Sequence, residues 1–252
     1  MKAILILNRN QFFFPKLLER FLKETKHEVI RVVTCESFDV KSNQTKKYKY
    51  LLSAIRIMGF KNLIQYVFVI AYRKVFRQDI KRVCIKHNVL YKEIDDVNSD
   101  AFFNLILNLK NKNNELVGLS MCSQIYRSKI INQSGINFYN FHPSLLPSNK
   151  GRFPVFWAIY NGDKQGVTCH IINEKIDSGD IIFQKEIHVE KRDTVPLVLM
   201  KLFSQLHAYF EETLNCIEKE ETNIPNKTYL NSYGPTPSKV QIRDYFRLVK
   251  KL

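Results

Sequence analysis

Apolar positions along the chain follow two periods. A continuous apolar run at residues 3–7 suits a strand buried on both faces, and further strands are read at 29–35, 116–121 and 167–172. Strands are also expected at 87–94, 135–141 and 181–189. Between them the spacing is helical. Residues 12–24 place Phe14, Leu17, Leu18, Phe21 and Leu22 on one side, and 100–110, about 124–133 and 153–160 read as further helices. Trp157 is expected to pack inside the last of these. Residues 46–86 form an extended helical region interrupted near Gly59 or Phe60, rich in aromatics and suited to a core or partner-facing surface. A long helix is predicted from Asp193 or Thr194 to about residue 219, with Pro196 in its first turn. Strands alternating with helices imply an α/β fold: a mostly parallel sheet with helices on both faces, plus a small C-terminal helix and tail.

Length and composition narrow the class. The 252 residues, 45% of them hydrophobic, can build one large α/β domain with an appendage. We divide them into a catalytic domain, 1–190, and a C-terminal helix and tail, 191–252, suited to oligomerisation or substrate contact. The apolar run at 3–7 lacks a cleavage pattern and reads as a strand, and the run at 63–72 is too short to span a bilayer. A soluble, cytoplasmic protein without membrane contact is expected. The five cysteines are widely spaced without a Cys-x-x-Cys pair, so reduced thiols are expected and no metal. A net charge of +15 favours anionic partners, but the basic residues are dispersed, with no block of five or six like charges.

The chemistry concentrates between residues 135 and 184. A strand ends in Asn140-Phe141-His142-Pro143, so alternation sends Asn140 and His142 to one face and Phe141 to the other. Pro143 closes the strand and leaves both polar groups at its carboxyl end, where ligands bind in open α/β sheets. Asp177 follows in the turn Asp177-Ser178-Gly179-Asp180. An amide, an imidazole and a carboxylate suit acyl transfer to an amine: an oxyanion donor, a proton carrier and its charge partner. Taken singly, the three are more often a turn former, a structural histidine and a turn.

The string as a whole, Asn140-Phe141-His142-Pro143-Ser144-Leu145-Leu146-Pro147, then Gly151, Pro154, Gly166-Val167-Thr168, His170 and Asp177-Ser178-Gly179-Asp180-Ile181-Ile182, resembles the 10-formyltetrahydrofolate-dependent formyltransferase family. The resemblance is dense over residues 135–184, weaker over 116–134, and elsewhere limited to the order of elements. It implies a Rossmann-like domain with Asn140, His142 and Asp177 as the catalytic set and 10-formyltetrahydrofolate as co-substrate. It also implies folate contacts from Ser120, Met121 and Ile125 and from the loop with Ile172, Asn173 and Lys175. Asn8, Arg9, Asn10, Lys150 and Arg152 are candidate contacts to the acceptor, Lys150 standing where the family often has arginine.

Within the family, the length, the helical insertion and the short tail most resemble the nucleotide-linked amino-sugar N-formyltransferases of surface-polysaccharide synthesis. The alternatives are methionyl-tRNA, whose enzymes carry a larger second domain, and glycinamide ribonucleotide, whose enzymes have a glycine-bearing loop after strand one. From another class, the charge would also suit a nucleic-acid-binding protein on an inactive transferase scaffold. The 51–76 region and the tail are candidate homodimer surfaces.

Overall fold

The computed structural model describes residues 1–9, 13–37, 48–59, 64, 79–190, 192–221, 223–226 and 233–251. Their centre is a seven-stranded sheet in the order β3-β2-β1-β4-β5-β7-β8. Strands β1 (Lys2–Asn8), β2 (Glu28–Cys35), β3 (Leu90–Glu93), β4 (Leu116–Met121) and β5 (Phe138–His142) run parallel. Strands β7 (Gly166–Ile171) and β8 (Ile181–Glu186) turn back antiparallel at one edge. Two residues apiece, β6 (Lys150–Gly151) and β9 (Tyr233–Gly234), form a separate parallel pair.

Alternation along β1 divides the core. Ala3, Leu5 and Leu7 enter one apolar cluster, while Ile4 and Ile6 enter another on the opposite face. The first cluster holds helix α1 (Phe14–Glu24) through Phe14, Leu17, Leu18 and Phe21. Phe21 meets Phe210 edge-on with centroids 5.4 Å apart, and Phe210 also meets Phe141 of β5. Across the sheet, α3 (Asp100–Lys112) buries Phe102 and Ile106 after a cap in which Ser99 Oγ accepts from the backbone N–H of Phe102. Both faces are covered, which is why the central strand β1 carries an uninterrupted apolar run. The five cysteines are free thiols. No helix among the described residues is long and apolar enough to cross a membrane.

Several elements depart from the sequence reading. Of the 46–86 region, residues 48–59 are helical and α2 spans Ile80–Lys86, capped by Asp79; residues 46–47, 60–63 and 65–78 lie outside the described residues. Helix α4 is only Ser128–Gln133, because Gln124 spends its side chain on Val97 N and Asp95 O, fixing 122–127 as a braced loop. Helix α5 (Pro154–Asn161) carries the buried Trp157. The single long C-terminal helix is two, α6 (Val195–Ser204) and α7 (Leu206–Glu218), broken at Gln205, whose ψ is 0°.

The tail contains a further helix, α8 (Lys239–Lys251), that the sequence reading missed. Its start is a reciprocal cap: Gln241 N–H donates to Ser238 Oγ, and Ser238 N–H donates to Gln241 Oε1. Tyr245 of α8 is fully buried, and its hydroxyl accepts from Val195 N–H at 2.9 Å, binding the tail to the start of α6.

Candidate active site

The site forms at the carboxyl end of β5. Tyr139 and Phe141 enter the first core, which leaves Asn140 and His142 on the other face of the strand. The neighbouring antiparallel strand sets His170 opposite Asn140 and Thr168 opposite His142. Thr168 Oγ donates to Ser144 O at 2.7 Å and accepts from Leu146 N at 3.0 Å, which folds the 143–149 loop back over the strand end. Asn149 closes that loop in a left-handed conformation, φ 56°, with its amide on Asp163. Its carbonyl thereby reaches His142 Nε2 at 2.9 Å.

A carbonyl only accepts, so Nε2 of His142 carries the proton and Nδ1 is the basic nitrogen. Nδ1 stands 3.6 Å from Asp177 Oδ2. His170 has the opposite arrangement. Its Nδ1–H donates to Ile171 O at 2.9 Å, leaving Nε2 to accept from Asn140 Nδ2 at 3.3 Å and to lie 3.7 Å from Asp177 Oδ1. Asp177 is therefore shared by two imidazoles, and Gly151 N–H donates to its Oδ2 at 2.7 Å.

Electrostatics follow from this packing. Burial works to raise the Asp177 pKa, but His142, His170 and the Gly151 N–H outweigh it and lower the carboxyl to about 2. Burial pushes the His142 pKa below its ordinary value, against the pull of Asp177 and the Asn149 carbonyl. The resting site is thus a neutral imidazole beside an ionised carboxylate. Burial likewise lowers Lys150, which Asp177 opposes.

Next to these groups is a cavity of about 530 Å³ lined by Lys150, Asn173, Glu174, Lys175, Ser178 and Asn226. Ile125 and Ile176 are exposed large apolar side chains of the 122–127 and 172–178 loops. Asn173 Oδ1 accepts from Lys175 N–H and Ser178 Oγ, which braces the loop that carries Asp177. Ser120 is fully buried, its hydroxyl on Tyr126 and its backbone between β1 and β5, so the expected folate contact from it is closed off, and Met121 and Ile172 pack partly into the cores.

The structure brings Asn140, His142, Asp177, Lys150, Asn173 and Lys175 together, but not all of the expected substrate contacts. Asn8 is buried and ties β1 to the 122–127 loop, exchanging hydrogen bonds with Ser123 through both ends of its amide. The terminal nitrogens of Arg9 are spent on Glu36, Glu93, Asp95 and the Ile94 carbonyl, so they are engaged within the protein rather than with a ligand. Arg152 is exposed, its guanidinium 5.8 Å from the ring of Tyr50. Asn10 lies outside the described residues. His170, Asn149 and Gly151 were given no role from sequence; their place follows from the β5–β7 register and the return of the 143–149 loop. Among the described residues no group of three His, Cys, Asp or Glu is arranged to hold a metal ion.

A family model described as formyl transferase matches residues 1–214. A methionyl-tRNA formyltransferase of Halothermothrix orenii is 33% identical over 141 residues, 56% of this chain and 44% of that protein. The chain spans about half the length of the methionyl-tRNA formyltransferases it matches. Among solved structures, an N-formyltransferase from Helicobacter canadensis in complex with folinic acid and dTDP-3-aminofucose superposes with a TM-score of 0.59 at 16% identity, covering 99% of this chain and 80% of that one. Glycinamide ribonucleotide transformylase 1 from Symbiobacterium toebii superposes with a TM-score of 0.58 at 14% identity, covering 94% of each chain. At these identities the two structures speak to the fold alone.

Proposed function

The chain belongs to the formyl transferase family, and from that premise we propose that it is an enzyme moving the formyl group of 10-formyltetrahydrofolate to a primary amine. The observation that carries this reading is the convergence of Asn140, His142 and Asp177 around the carboxyl end of β5, with a defined tautomer on His142 and a cavity beside the Asp177 turn at Ser178 and Lys150. The surroundings fit a flat, polar-edged heterocycle: apolar Ile125 and Ile176 on exposed loops, and backbone held still by the Asn98–Ile125 and Asn173–Ser178 hydrogen bonds. The folate contacts of Met121, Ile125, Ile172, Asn173 and Lys175 are part of the same proposal.

Bound, 10-formyltetrahydrofolate supplies the formyl carbon and, in its N10, the leaving nitrogen. Asn140 Nδ2 gives one hydrogen to His170 and keeps a second for the carbonyl oxygen as it becomes negative. Such a donor is worth about two to three orders of magnitude in rate. His142, neutral at rest, takes the amine proton on Nδ1. The resulting imidazolium lies against Asp177, which remains ionised, and the proton is then available to the departing nitrogen.

For the acceptor, sequence similarity favours the amine of methionyl-tRNA. The 33% identical relative is a methionyl-tRNA formyltransferase, and a net charge of +15 suits a polyanion. The nucleotide-linked amino sugar, first choice from the length, the helical insertion and the short tail, is supported by a fold match at 16% identity. The test is incubation with 10-formyltetrahydrofolate and three acceptors in parallel: methionyl-tRNA, nucleotide-linked amino sugars and glycinamide ribonucleotide. Mass spectrometry then asks which of them gains one formyl group. Formylated methionyl-tRNA supports the reading; a formylated sugar alone reassigns the acceptor. No product on any amine, with salt-sensitive RNA binding, would sink the enzyme in favour of an inactive scaffold.

A further inference from the structure

Asp177 is gripped from a part of the chain that lies beyond the family match, which ends at residue 214. After α7 the chain returns to the sheet edge, where Ile224 and Ile181 exchange backbone hydrogen bonds at 2.8 and 2.9 Å. Two residues on, the Asn226 side chain is buried under the Asp177 turn. Its Nδ2 donates to Asp177 O at 3.0 Å and to Gly179 O at 3.1 Å. The turn needs such support. Asp177 has φ 48°, a left-handed conformation that costs a non-glycine residue about 1 kcal/mol or more unless its surroundings hold it.

Two further features point the same way. Asn226 Oδ1 is buried without a hydrogen-bond partner, so the residue carries a cost that an apolar side chain of similar size would avoid. What it gives in return is a pair of donors aimed at two carbonyls of the site. The same segment also reaches the other side of Asp177. Strand β9 pairs with β6, and β6 contains the Gly151 N–H that donates to the Asp177 carboxylate. The segment therefore holds the backbone of Asp177 directly and its carboxylate through Gly151.

We propose that Asn226 is a positioning residue of the active site, holding the Asp177 turn in the conformation that places the carboxylate between His142 and His170. The proposal rests on the catalytic reading of Asp177 for its consequence, and on geometry alone for the positioning. The full-length chain, with Asn226→Ala and Asn226→Asp, tests it by NMR titration of the His142 imidazole and by steady-state kinetics. Charged and titratable groups face His142 from three elements: Asp177 on its turn, His170 on β7 and Lys150 on β6. Of these, only Asp177 favours the protonated imidazole, while His170 and Lys150 oppose it. Displacing it lowers the His142 midpoint, in the same direction as Asp177→Asn.

The expected result is that lowered midpoint in both variants. It should be accompanied by a fall in kcat of about tenfold to a hundredfold. An unchanged midpoint alongside lower thermal stability would overturn the proposal, leaving Asn226 a packing residue. Wild-type protein inactive on every amine would end the catalytic reading, yet the His142 midpoint still decides the positioning. If both variants fail to fold, the wild-type Asn226 side-chain amide decides it: slow hydrogen exchange is required, and fast exchange overturns it.

Discussion

His170 accepts a hydrogen bond from the Asn140 amide at 3.3 Å because its own Nδ1 proton is committed to the Ile171 carbonyl. The imidazole thus fixes which way the amide faces. Replacing it by alanine frees Asn140 to rotate, and we expect kcat to fall about tenfold, within the hundredfold that a misplaced group can cost. His170→Gln, which restores an acceptor, should recover part of that loss. Equal rates in the two variants would show that the acceptor is irrelevant.

His142 is both proton carrier and buried hydrogen-bond donor. His142→Asn should abolish turnover while the protein folds, at a stability cost of about 1 kcal/mol for the lost hydrogen bond to the Asn149 carbonyl, which keeps the longer one from Ser144 Oγ. Single-turnover assays paired with urea unfolding separate the two effects. A rate near wild type would remove His142 from the mechanism.

Asp177 ties stability to pH. Its pKa in the folded protein is about 2, against roughly 3.9 for an unfolded aspartate. A depressed carboxyl stabilises the fold above the unfolded value and loses that contribution as pH falls through the folded one. The stabilisation, on the order of 2 kcal/mol, is complete at pH 7 and disappears between about pH 4 and pH 2. Asp177→Asn should be less stable than wild type at pH 7 by about that amount, and the gap should close in that acid window. A gap that persists at the acid end would contradict the ionised, doubly paired carboxylate.

The turn tolerates no side chain at Gly179. A Cβ there would stand 1.9 Å from the Ile171 carbonyl oxygen, a backbone atom of β7 that cannot move aside. Gly179→Ala should cost on the order of 3 kcal/mol and displace Asp177 with it. Gly162→Ala is the matched control: its φ is 75° and no atom lies within 4 Å of the added carbon. It carries backbone strain without collision and should keep its activity. Urea midpoints and initial rates for the pair give the comparison.

Much of this was legible in the sequence because it is local. The apolar runs of β1 and β4 and the one-sided spacing of α1 report burial residue by residue, and Asn140, His142 and Asp177 sit in a dense string. What was not legible depends on register and return paths. Arg9 follows the first strand, as a ligand contact would, but its partners Glu36, Glu93 and Asp95 come from the ends of β2 and β3. Asn226 sits in a proline-punctuated stretch with no periodicity, and its partners lie across the turn of a different hairpin. The missed helix α8 did carry a signal, Ser238 with Gln241 three residues on, which the surrounding prolines at 235 and 237 obscured.

The chain contains a single tryptophan. Its indole N–H donates to the Pro235 carbonyl at 2.9 Å, and Gly234 lies so close to the ring that an added Cβ would fall 2.2 Å from it. One chromophore therefore sits on the junction where the C-terminal segment meets the strand that holds Asp177. Its emission colour distinguishes docked from detached without any label, so the protein carries its own optical gauge of whether the site is assembled.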